Sequence, residues 1–242
     1  AKPAEAGSES GEGWGMRAGR FPARGQWDRA RADFDRALGV KGAPPGVRLE
    51  RALVSLQLGE LAEGRQALTE LLAQTARGQP GGTAGPDRQR NQSTWLRSVA
   101  GAALCLPGTV PEPGRLVEVL GKTVDENSRV EVLRLQGMAL YRAGRYAEAG
   151  QGLKKAMDER RDIELRKKQP SSGPHPLEGL FLAMAHHHLN EAGEARDWLD
   201  RTAKWLDESP TARALSWPVA LQVQLVRQEA EALLGASKRP VP

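Results

Sequence analysis

Residues 18–38, AGRFPARGQWDRARADFDRAL, and residues 137–157, GMALYRAGRYAEAGQGLKKAM, are two copies of one pattern. Each opens on a small residue, Ala18 or Gly137, and brings in an aromatic within one turn, Phe21 or Tyr141. A glycine follows, Gly25 or Gly144, and then a second aromatic, Trp27 or Tyr146. Ala30, Phe34 and Ala37 close the first copy; Ala149, Leu153 and Ala156 close the second. Steps of three and four put those residues on one helical face. A unit that recurs inside one chain dictates a repeat architecture, and a period of about 34 residues is that of stacked helix–turn–helix hairpins.

Composition agrees with helices. The 242-residue chain is rich in Ala, Leu, Arg and Glu and has only three Phe and two Tyr. With few β-branched residues a large sheet is not expected. The 16 Pro and 27 Gly fall mainly between apolar runs, where they punctuate rather than interrupt. Cys105 is the only cysteine, so no intrachain disulfide can form, which fits a reducing compartment and a cytoplasmic location. No apolar run approaches the ~20 residues a spanning helix needs, so no membrane contact is expected. The start of the chain has no apolar segment of the signal-peptide kind. It also lacks Met at position 1, as a processed product or a piece of a longer chain would.

Five hairpins and a last helix can be read along the chain. Residues 1–11 are small, polar and Gly-rich and are expected to be disordered. Residues 12–234 form the repeat region, and 235–242 a frayed tail. Hairpin one spans about 12–38; Pro22 is expected to kink or fray its first helix, unless that helix starts later. Hairpin two spans about 47–74, with Gly64 where the other repeats have Ala. Residues 77–92 have no periodicity and read as a loop, with Ser93 or Thr94 capping the helix after it. Hairpin three is less regular, its turn stretched by LPGTVPEP over 106–113. Hairpin four, 130–161, is the cleanest, and the breaker run at 169–176 separates it from hairpin five, 177–206. Ser216 opens a last amphipathic helix running to Leu234, of the kind that closes the exposed end of a repeat stack.

LRLQGMALYRAGRYAEA (133–149), LFLAMAHHHLNEAGEARDWLD (180–200) and SWPVALQVQLVRQEAEALL (216–234) resemble the tetratricopeptide repeat family. They resemble in particular the bacterial arrays found in large regulatory proteins that carry a serine/threonine kinase or a β-propeller elsewhere. No kinase motif stands in this chain. The resemblance implies an all-α fold, a right-handed α-solenoid of about five hairpins plus a C-terminal capping helix. It also implies a concave groove lined by the first helix of each hairpin. Carried onto hairpins four and five, the family's groove positions are Arg134, Met138, Tyr141 and Arg142, then Leu180, Met184, His187 and His188, with Glu131 and Leu177 beside them. Met and aromatic side chains adapt to a peptide surface, and Arg can fork onto a carboxylate. The carboxylate clamp of chaperone-binding relatives needs Asn where this chain has Met138 or Met184, so a chaperone tail is not the expected ligand.

No group points to catalysis. GEGWGMRA, 11–18, has the spacing of a dinucleotide loop but follows a polar tail rather than a strand. His186, His187 and His188 are consecutive, so on a helix they diverge by about 100° each and cannot converge on one metal. Cys105 sits in an apolar run without a neighbouring His. Residues 154–168 hold seven basic and four acidic residues with no interleaved aromatic, the pattern of a solvated helix face. The sequence therefore reads as a non-catalytic module that binds a protein or peptide in its groove, with no cofactor and no metal. Two alternatives stand beside it. One is polyanion or nucleic-acid binding through the surface that gives the chain its net charge of +5, which the missing aromatics disfavour; the other is a spacer or self-associating module.

Overall fold

The computed structural model of the chain describes residues 10–77, 88–125, 127–168 and 175–235. Most of the expected lead-in, the segment 78–87, the breaker run 169–174 and the tail from 236 lie outside the described residues. Among the described residues all regular structure is helical and there is no strand. The fold is an all-α helical repeat.

Contacts divide the chain into two units, 1–103 and 104–242, where the sequence suggests one continuous repeat region over 12–234. In the first unit α1 (Gly11–Ala18) pairs with α2 (Trp27–Gly39), and α3 (Pro45–Gln57) pairs with α4 (Leu61–Ala76). Helix α2 packs on α3, which joins the two hairpins. Helix α5 (Arg88–Leu104) crosses the unit boundary. In the second unit α6 (Pro113–Gly121) packs on α7 (Arg129–Arg142), and α7 pairs with α8 (Tyr146–Arg166). Helix α8 packs on α9 (Pro176–His188), which pairs with α10 (Ala192–Glu208). A single turn, α11 (Pro210–Arg213), leads to α12 (Trp217–Leu234).

The repeat is clearest in its turns. Gly25, Gly59, Gly144 and Asn190 each sit at positive φ, between 61° and 83°, at the bend between paired helices. The next residue's N–H then reaches back five residues: Gln26 to the Phe21 carbonyl, Glu60 to Ser55, Arg145 to Leu140 and Glu191 to His186, at 2.9–3.1 Å. This left-handed closure satisfies the last carbonyls of the first helix. Asn takes the left-handed region more readily than other side-chain-bearing residues, so Asn190 does the work of the three glycines.

The small residues of the pattern form the seams. Ala30, Phe34 and Ala37 in α2, and Ala149, Leu153 and Ala156 in α8, are fully buried; Ala195, Leu199 and Thr202 take the same places in α10. Gly137 of α7 lies against Leu153, where an added Cβ would stand 2.7 Å from Leu153 Cγ and 3.2 Å from its backbone nitrogen. Only glycine allows α7 and α8 to approach this closely.

Two local expectations are corrected. Helix α1 stops at Ala18, and Pro22 opens a short 3₁₀ turn, Pro22–Arg24, so proline kinks nothing. Proline needs no N–H at a first helical position. Helix α5 covers Arg88–Leu104, so residues 88–92 are helical rather than loop, and Ser93 and Thr94 lie inside the helix rather than capping it. Ser10 is described too: its side chain accepts from the Gly13 N–H at 3.0 Å and caps α1.

Candidate functional site

The second unit carries the richest arrangement of side chains, on the face shared by α7 and α9. A stripe at steps of three and four sets Arg134, Met138, Tyr141 and Arg142 along one side of α7. Tyr141 meets Phe181 of α9 edge-on at 5.2 Å between ring centres, and His188 of α9 at 5.8 Å. His188 in turn stacks flat on Tyr146, the first residue of α8, at 4.1 Å and 7°. Such offset and edge-on pairs add to what burial alone contributes.

Helix α12 crosses this face. Stacked repeat helices in this unit pack mainly on the second helix of the preceding hairpin, as α9 does on α8. Helix α12 instead packs chiefly on α9, a first helix, and only slightly on α10. It reaches further still. Glu229 accepts two bonds from the Arg142 guanidinium, at 2.5 and 2.6 Å, while Arg142 Nε donates to the Leu104 carbonyl at 2.8 Å. Gln222, two turns before Glu229, meets the Cys105 thiol at 3.8 Å. The guanidinium also lies 5.1 Å from the Phe181 ring centre, so α12 holds Arg142 over the aromatic cluster. Leu221, Val223, Val226 and Ala230 are the buried residues of α12.

The expected groove residues divide by their burial. Met138, Leu180 and Met184 are fully buried, and Tyr141 nearly so. They are core of the second unit rather than a surface open to a ligand. The Arg142 side chain is only 7% exposed and is held by Glu229 and Leu104. Of the remaining three, Arg134 and His187 are half-buried and His188 is exposed. The sequence pattern alone does not separate these groups, because the separation depends on how the helices pack.

Arg134 stands at the other end of the face from His188. Among the described residues its buried Nε has no hydrogen-bond partner. Burial pulls its guanidinium below the ordinary arginine range, against the pull of Glu178 and Glu131 in the opposite direction. Glu178 itself is wholly buried and forks onto Arg160 of α8 at 2.5 and 2.7 Å. The same carboxylate accepts from the His175 N–H at 3.1 Å, and His175 Nδ1 accepts from the Leu177 N–H at 3.3 Å. This reciprocal pair caps α9. Burial, helped by Arg134 and Arg160, pulls the His175 ring down to about 2. A neutral ring is what the cap requires, since a protonated Nδ1 accepts nothing.

The other chemistry-bearing residues are structural. GEGWGMRA is helix α1 itself, not a loop ahead of one. His186 is buried with Nδ1 against Glu191, while His187 and His188 point elsewhere. No group of three or more metal-ligating side chains occurs among the described residues. Burial pushes the Cys105 thiol up to about 12. Most charged residues of 154–168 are exposed on α8 or just past its end, and Arg160 among them is committed to Glu178. No described helix is long and apolar enough to cross a membrane.

Residues 21–80 match the tetratricopeptide repeat family model. Over those residues the chain is similar to the tetratricopeptide repeat family. Residues 21–80 take in α2, α3 and α4. Tetratricopeptide repeats generally mediate protein–protein interactions and generally serve as non-catalytic scaffolds. Among solved structures, kinesin light chain nearly identical TPR-like repeats from Podosopora anserina share 17% identity with the chain. The match covers 82% of this chain and 96% of that one, with a TM-score of 0.47. No curated protein matches the chain.

Proposed function

We propose that the chain is a non-catalytic interaction module that holds a protein segment on the first-helix face of α7 and α9. The observation that carries this reading is Arg134: a half-buried arginine on that face whose buried Nε has no hydrogen-bond partner among the described residues. A buried donor left unsatisfied costs about 1–3 kcal/mol, which an incoming acceptor relieves. A carboxylate suits a guanidinium best, because it accepts two parallel bonds. At the opposite end, His188 offers an exposed ring stacked on Tyr146, with half-buried His187 edge-on beside it at 5.8 Å. The high thiol pKa of Cys105 and the divergence of the three histidines support the non-catalytic part of the reading.

The test is a partner captured by the full chain and then purified and titrated. Arg134→Glu and His188→Glu variants are each expected to weaken its binding at least tenfold, about 1.4 kcal/mol. Unchanged affinity for both variants, with helicity intact, contradicts the reading.

A further inference from the structure

Helix α12 enters the α7–α9 face in the manner of a bound ligand. It meets Cys105, Arg142 and α9 through one side, with Gln222, Val226, Glu229 and Ala230 at steps of four, three and one. Its contact with α7 spans 87 residues of sequence, and its anchoring carboxylate is 22% exposed while the arginine beneath is 7% exposed. An amphipathic helix laid into a hydrophobic groove is a recurring mode of peptide recognition, read through anchors one and two turns apart. Arg142 cannot discard its charge, so the face needs a carboxylate at this place whichever helix lies on it.

We infer that this face is a helix-docking groove occupied in cis by α12, and that the partner it fits is an amphipathic helix of another protein. Such a helix presents an amide or other polar side chain, an apolar residue four positions on, and a carboxylate three beyond that. The partner exchanges with α12 rather than entering an empty groove. Charge complementarity to Arg142 selects the carboxylate; the buried Val226 and Ala230 positions select small apolar side chains around it. The inference rests on the proposed interaction role and assigns the chemistry of its partner.

The probe is a fluorescein-labelled peptide of residues 216–235. The short link from α10 holds α12 at an effective concentration in the millimolar range, so the intact chain should resist the peptide. A Glu229→Gln chain, checked for helicity, loosens α12 and is expected to bind the wild-type peptide at least tenfold more tightly than the wild-type chain does. A peptide that itself carries Glu229→Gln should bind this chain about tenfold more weakly. If the variant chain fails to fold, a protease site engineered at 211–214 gives the same test without altering the Arg142 and Cys105 contacts of α12. The nicked protein should exchange α12 for the wild-type peptide in preference to the variant peptide. Equal binding by both chains, or no preference between peptides, overturns the inference. A mass of twice the monomer also overturns it, because it assigns the face to a second copy's α12. None of these outcomes touches the Arg134 and His188 titration, so the two readings fail separately.

Discussion

Glu178 of α9 forks onto Arg160 of α8 at 2.5 and 2.7 Å with its side chain wholly buried. The pair locks adjacent hairpins, and the same carboxylate accepts the His175 N–H that starts α9. Removing one partner of a buried pair leaves the other uncompensated, at about 3–5 kcal/mol. Glu178→Ala should therefore lower the urea unfolding free energy by an amount of that order. The exposed pair Arg145–Glu148 provides the control: Arg145→Ala should leave the midpoint where it is.

His175 makes stability depend on pH. Its folded-state pKa lies far below the ordinary value, at about 2, so the folded chain holds the ring neutral while the unfolded chain protonates it near 6.5. The unfolded state then binds more protons, and stability falls as pH drops below about 6.5, by up to about 1.4 kcal/mol per unit. Above that pH the contribution is constant. Urea midpoints measured between pH 7.5 and 5 should show the decline, and His175→Asn, which keeps a capping oxygen without a titrating ring, should flatten it.

Gly137→Ala puts a methyl group against Leu153 Cγ and the Leu153 backbone. Helix propensity favours the alanine by about 1 kcal/mol, yet overpacking of a tight seam costs about 1–3 kcal/mol. The backbone contact cannot yield by a rotamer change, so overpacking wins. Thermal unfolding should show a lower midpoint; a higher one would mean the α7–α8 seam is looser than described.

The pattern of small and aromatic residues is legible because each position answers a local requirement. Ala30, Ala149 and Ala195 must be small where helices touch, and Gly25, Gly59 and Gly144 must turn left-handed. Hairpin five hides its turn because Asn190 replaces the glycine, although asparagine is the substitute the geometry admits. The helix over 88–92 is hidden too: its polar Arg90, Asn91 and Gln92 carry no apolar stripe, and α5 extends through them all the same. The candidate site is harder still. Arg142 takes a groove position within its own repeat, and no local signal says that Glu229 comes back to hold it. Glu178 carries only half of a capping-box signal, since the cap residue three positions before it is His175 rather than Ser, Thr, Asp or Asn.

Cys105 offers a single thiol, buried and held protonated by a pKa pushed up to about 12. Its reaction with a thiol reagent at pH 8 should be slower by orders of magnitude in the native chain than in urea. Fast native labelling would mean that the Gln222 side of α12 leaves Cys105 readily.

A double-mutant cycle on Arg142 and Glu229 measures most directly whether α12 is docked on the first-helix face. Urea unfolding of the wild-type chain, Arg142→Ala, Glu229→Ala and the double variant yields their coupling. The two residues share two hydrogen bonds, and contacting pairs couple by about 0.5–3 kcal/mol. The docked helix predicts a coupling above 1 kcal/mol or so in the stabilising direction. Additive losses, equal within about 0.3–0.5 kcal/mol, would place α12 off this face and contradict the account.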